Sequence, residues 1–173
     1  MKYKLGDLCS IKYRKSQKYL SDGDIPVYGS GGIVRYANKE LYRKKSVLIP
    51  RKGTLSNLFF ADTPFWVIDT MFYTEINESI IIPEFLYYQL SNLDLASMNV
   101  GTAVPSLTIT ILENLDITVP PMLEQKRITS TLECLDAKIK TNKAINHHLV
   151  VRLLTDNSPD INFGKRLSRS LAR

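Results

Sequence analysis

Ile128, Leu132, Leu135 and Ile139 are separated by four, three and four positions. That interval lays an apolar stripe along one side of a helix. Asn142 stands where the next apolar residue belongs, and Ile145 and Leu149 follow. A polar residue in such a seam can set register or partner number. No Gly or Pro interrupts the run until Pro159, and upstream Pro120-Pro121 close an extended segment, Leu115 to Val119. A helix over 123–154 is about 48 Å long at 1.5 Å per residue. The pattern therefore predicts one long C-terminal coiled-coil-forming helix over 122–155, a strut or dimerisation arm. An amphipathic helix folded back on its own domain has the same pattern.

Ahead of the helix the pattern is shorter in wavelength. Ile25–Tyr28, Val47–Pro50, Leu58–Ala61 and Phe65–Ile76 read as strands, with Thr63-Pro64 at a turn. Pro83 is suited to the first position of a helix running to about Leu95. Thr110–Asn114 reads as a short helical turn before the strand at Leu115. Strands, then helix, then strand predict an α+β domain, an irregular mixed sheet with packed helices, over residues 1–121. Residues 156–173 form a polar tail expected to be disordered.

Charge changes this picture. The net charge is +6, but it is segregated: residues 1–52 carry 13 Lys/Arg against 4 acids, and 53–121 carry 8 acids and no Lys or Arg. Residues 122–173 carry 10 Lys/Arg against 5 acids. A basic face implies a polyanion partner, whereas a charge block taken singly is more often a solvated surface. Here the basic residues are interleaved with Tyr13, Tyr19, Tyr28, Tyr36 and Tyr42 and flank glycine-containing loops. No apolar run approaches the roughly eighteen residues of a membrane span, and no secretory signal follows the first residues. Cys9 and Cys134 are isolated, so no disulfide framework is predicted and a reducing cytoplasm is the simplest home.

Three loops are candidates to meet nucleic acid. The first holds Lys12, Arg14 and Lys15. The second is Tyr28-Gly-Ser-Gly-Gly-Ile-Val-Arg-Tyr36, with Ser30, Gly31, Arg35 and Tyr36; the third is the basic turn Arg51-Lys52-Gly53-Thr54. Arg35 is placed to approach a base edge and Lys52 a phosphate. Each loop alone reads equally well as a turn with solvated charges. Ser106 and Thr108 lie in an uncharged loop, 101–108, whose residue types favour a structural role. Catalytic constellations are missing. No GK[ST] or GxGxxG element follows the glycines. His147 and His148 diverge by about 100° on a helix and cannot share a metal, so neither cofactor nor metal is predicted. Glu124-Gln-Lys126 carries the short acid-x-Lys pattern of nucleases, with Asp116 the nearest upstream acid, but at a helix start.

Four segments taken together resemble a known family: Ile25-Pro-Val-Tyr-Gly-Ser-Gly-Gly32, Ile49-Pro-Arg-Lys-Gly-Thr54, Gly101-Thr-Ala-Val-Pro-Ser-Leu107 and Val119-Pro-Pro-Met-Leu-Glu-Gln-Lys-Arg-Ile128. Phe65-Trp-Val-Ile-Asp-Thr70 fits the same pattern. In this order they resemble the specificity subunit of type I restriction–modification systems, over about residues 1–150. The resemblance implies a target recognition domain reading one half of a bipartite site in double-stranded DNA. It implies no catalysis of its own; a modification (methyltransferase) subunit binds the helical region, and a restriction subunit adds cleavage. In that family two such units sit in one chain with their helices antiparallel. One unit is seen here, so a half-subunit or truncated form is expected, pairing as a homodimer through Ile128, Leu132, Leu135, Ile139, Asn142, Ile145 and Leu149. A pure protein-interaction module, or a stand-alone DNA-modifying enzyme, is the alternative from the residues alone.

Overall fold

A computed structural model describes residues 1–14, 20–101 and 103–156, with side chains as far as 149. The chain divides into two compact units, Met1–Thr129 and Ser130–Arg173. The first is mixed α and β, in three sheets. β1 (Lys2–Lys4) pairs antiparallel with β9 (Asp116–Thr118), which ties the two ends of the domain together. A single turn, α1 (Leu5–Leu8), buries Leu5 and Leu8 and leads into β2 (Cys9–Tyr13).

The four-stranded antiparallel sheet has the order β2, β8 (Met71–Ile76), β5 (Ser46–Pro50), β6 (Phe59–Ala61). β5 is buried at every position, as befits a short apolar run held between two neighbours. Beyond Leu48↔Tyr73 its ladder to β8 is continued by side chains. Val47 N donates to Thr74 Oγ1 (2.9 Å), Thr74 N donates to Ser46 Oγ (2.9 Å) and Ser46 Oγ donates to Thr74 O (2.8 Å). Two buried hydroxyls thus satisfy backbone groups that would otherwise be orphaned. The main core lies between this sheet and α2 (Pro83–Ser91), where Phe72, Phe85, Leu86 and Leu90 are buried.

The third sheet has the order β4 (Gly32–Ala37), β3 (Ile25–Gly29), β7 (Trp66–Val67), antiparallel and then parallel. Three expectations are corrected here. Tyr28–Tyr36 is a β-hairpin rather than a loop. Phe65–Ile76 is two strands, because Trp66–Val67 pair with β3 and Met71–Ile76 with β2 and β5. The helix from Pro83 stops at Ser91, where Asn92 closes it, and a 3₁₀ turn, Leu95–Met98, follows.

α3 (Ile109–Glu113) precedes β9, and α4 runs over Met122–Asp156. Its first turns belong to the domain. Gln125, 1% exposed, accepts a bond from Ile82 N (2.9 Å) and donates to Ile80 O and Pro120 O (3.0 Å each). In the second unit, α4 leaves Leu135, Ile139, Ile145 and Leu149 about half exposed. Leu132 is intermediate and Asn142 exposed. The tail expected to be disordered lies outside the described residues. No described helix is long and apolar enough to cross a membrane.

Candidate nucleic-acid interface

Strand register brings the basic segments to one end of the four-stranded sheet. β2 ends at Tyr13 opposite Phe72, and β5 ends at Pro50 opposite Met71. The residues that follow, Arg14 and Arg51, therefore leave the sheet at the same end as the link Ile68–Thr70. Arg51 N donates to Thr70 O (2.8 Å). Lys52 forms an isolated antiparallel bridge with Ser106, flanked by Gly53 N→Pro105 O (3.0 Å) and Leu107 N→Arg51 O (2.9 Å). The hairpin tip is bonded to the same place. Ser30 N donates to Thr70 Oγ1 (3.3 Å), and Asn57 Nδ2 donates to Ser30 O (3.0 Å). A Cβ on Gly53, whose φ is +90°, would stand 3.0 Å from Ser30 Oγ. Only glycine combines that φ with so close an approach. Ser30, Lys52, Gly53 and Ser106 thus come together from segments remote in sequence.

Two arginines in this region lie on aromatic rings. The Arg51 guanidinium is 4.4 Å from the Tyr13 centroid and 5.9 Å from that of Phe72, and its Nη1 reaches Asp69 O (3.4 Å). Arg14 lies 4.7 Å over Trp66. A guanidinium over an aromatic ring is held by cation–π attraction while its N–H donors remain able to meet phosphate or base edges. Arg35 and Trp66 are both in register with Val27, on opposite sides of it, so the three share one sheet face. Arg35 Nε and Trp66 Nε1 are buried and have no hydrogen-bond partner among the described residues.

Other residues singled out from the sequence are placed differently. Lys12 pairs with Glu75 at 2.6 Å, and that hydrogen bond raises its pKa. Tyr28 turns toward Phe59 and Phe65 (centroids 5.8 and 6.4 Å), and burial pushes its phenol up. Thr108 caps α3, its Oγ1 accepting from Ile111 N (3.4 Å). Tyr36, Thr54 and Gly31 are exposed. Lys15 lies outside the described residues. Sequence reading missed Asn99, whose Oδ1 accepts from Gly101 N (2.8 Å) and Ser106 N (2.7 Å) and so shapes the loop that meets Lys52. An Asn two residues before a Gly is an Asx-turn signal that could have found it. It also missed Trp66 as a platform, which no local pattern marks.

Among the described residues no group of three or more His, Cys, Asp or Glu is arranged to hold a metal. The family model for the type I restriction modification DNA specificity domain matches residues 1–150. The chain is 31% identical over 134 residues to the type I restriction enzyme MjaVIII specificity subunit of Methanocaldococcus jannaschii, covering 75% of this chain and 30% of that protein. It is similar in fold to the type I restriction–modification S subunit of M. genitalium (TM-score 0.70, 17% identity, 91% of this chain and 46% of that one). The HsdS subunit of Thermoanaerobacter tengcongensis gives a TM-score of 0.65 at 18% identity, with coverage of 84% and 39%. The chain thus spans about a third of the length of that curated relative and under half of these solved ones.

Proposed function

Because the chain belongs to the family of type I restriction modification DNA specificity domains, we propose that its first unit recognises one half of a bipartite site in double-stranded DNA and that it positions partner enzymes there. The family is one of specificity, not catalysis. In this reading a modification (methyltransferase) subunit carries out methylation, and a restriction subunit adds cleavage. The observation that carries the reading is the convergence of Ser30, Lys52 and Ser106 at the end of the sheet where Arg14 and Arg51 are stacked on aromatic rings. Phosphate contacts from Lys52 and the stacked arginines supply affinity. Arg35 and its neighbours in the groove supply sequence choice.

The second part of the reading concerns α4. Its 35 residues are about 52 Å long at 1.5 Å per residue. The half-exposed seam of Leu135, Ile139, Ile145 and Leu149 gains burial from a second copy of the same helix. A two-fold pair presents two identical domains, so the site is a palindrome with a gap.

The experiment is co-purification with the modification subunit, followed by DNA binding across a salt series. The expected result is a steep fall of log K with log salt, and Lys52→Ala lowers that slope by about one unit while weakening all sequences alike. Arg35→Ala changes which sites are bound. A flat salt dependence contradicts the reading and favours a module that binds only protein through α4.

A further inference from the structure

We propose that the turn end of the β3–β4 hairpin enters the major groove and that Ile33 and Val34 read thymine there, through its 5-methyl group. The inference rests on the DNA reading above and adds the residues and the base feature they recognise. It starts from a feature that neither folding nor charge explains. β4 is the edge of its sheet, yet it exposes Ile33 (48%) and Val34 (54%). An edge strand that shows large apolar side chains invites aggregation and is normally blunted by charge. Here the apolar pair is placed where a ligand covers it.

The shape fits a groove. A two-stranded ribbon is one of the elements the major groove admits, at about 12 Å wide. β7 pairs with β3 only at Val27 and Tyr28, and Ile33 lies opposite Tyr28, so the hairpin narrows to two strands just past Ile33, at the closing pair Gly29↔Gly32. Its tip is thin, since around a Cβ on Gly31 there is nothing within 4 Å, and Gly32 takes φ +118°. A β-bulge separates Tyr28↔Ile33 from Val27↔Arg35, leaving Val34 as the extra residue. Val34 packs beside Gly29 and Ile68, its Cγ1 3.1 Å from where a Gly29 Cβ would sit. Ile33 shares the opposite face with Tyr28.

The surroundings select DNA over an apolar protein partner. Ser30 at the tip is bonded to Thr70 and lies against Gly53, in the turn that carries exposed Lys52, and the next residue along β4 is Arg35, whose Nε has no partner among the described residues. Cations and hydroxyls beside a small apolar tip complement phosphates beside a base edge. On that edge the thymine methyl is the apolar feature in the major groove.

The test uses the chain in complex with its modification subunit. Methylation mapping first gives the half-site. Duplexes are then compared in which each thymine of the half-site is replaced, one at a time, by deoxyuridine, which lacks only the methyl. The wild type is expected to bind roughly three- to fivefold more weakly at one or two positions, the size of one lost methyl burial. Val34→Ser or Ile33→Ser abolishes that preference for thymine over uracil. Lys52→Ala weakens binding but keeps it. Both apolar residues are exposed, so unchanged melting of the variants accompanies the result. No uracil effect at any position overturns the proposal. So does a serine variant that keeps the preference, or one that loses the modification subunit instead. Absence of any specific binding by the wild type removes the DNA reading itself, and this inference with it.

Discussion

The two units use the same apolar residues in opposite ways. In the first, Leu5, Leu8, Ile49, Phe72, Phe85 and Leu90 are within 1% of complete burial, around a core that closes on itself. In the second, Leu135, Ile139, Ile145 and Leu149 stand at 49–54% exposure along one helix. The core side chains of the first unit are already covered and gain nothing from association, and its exposed apolar pair, Ile33 and Val34, is confined to one hairpin, whereas α4 carries an uncovered seam along its length. In the proposed function, recognition and assembly are thus divided between a fold whose core is closed and a helix whose seam a partner covers.

The division can be broken from either side. The largest effect is expected from Leu135→Asp. Burying one such side chain stabilises by roughly 2–3 kcal/mol, and in a two-fold pair it is counted twice, so dimerisation should weaken by more than a hundredfold. Light scattering measures the loss, and the unfolding midpoint of the domain should stay in place. Phe85→Ala acts on the other unit. It should cost about 3–5 kcal/mol of domain stability, followed by the fluorescence of Trp66, the only tryptophan. A loss below about 1 kcal/mol would mean that the core is not built around α2. Gln125→Leu removes three bonds that hold the start of α4 to the domain. It should lower domain stability by about 1–3 kcal/mol, because Ile82 N, Ile80 O and Pro120 O lose their partner.

The mildest probe changes no residue. Cys9 is buried in the first unit, and burial, with the Glu113 carboxylate adding to it, pushes its thiol up to about 12. Cys134 is exposed on α4. Since the thiolate is the reactive form, one thiol per chain should react quickly with a thiol reagent at neutral pH, and the second only on unfolding. Two fast thiols would show that the domain opens around Cys9.

The same division governs what could be read from the sequence. α4 was legible because a heptad pattern is local, and β5 because a buried strand is a continuous apolar run. β1 was not, since Lys2–Lys4 is a strand only by pairing with Asp116–Thr118 at the far end of the domain. β4 was read as loop because Gly32, Arg35 and Tyr36 carry the polar, glycine-rich character of an edge. The basic turn at Arg51–Lys52 was legible from its charge. That Tyr13 and Trp66 serve as platforms was not, because a stacking partner is set by strand register rather than by spacing. The capping role of Thr108 was not legible until α3 was seen to start beside it.

The central claim is that one recognition domain, doubled through α4, sets the DNA site. The most direct measurement is the map of methylated positions produced by this chain together with its modification subunit and no other specificity chain. The account predicts two identical half-sites in inverted orientation, separated by one fixed gap. An asymmetric site, a continuous site or methylation without sequence preference would contradict it.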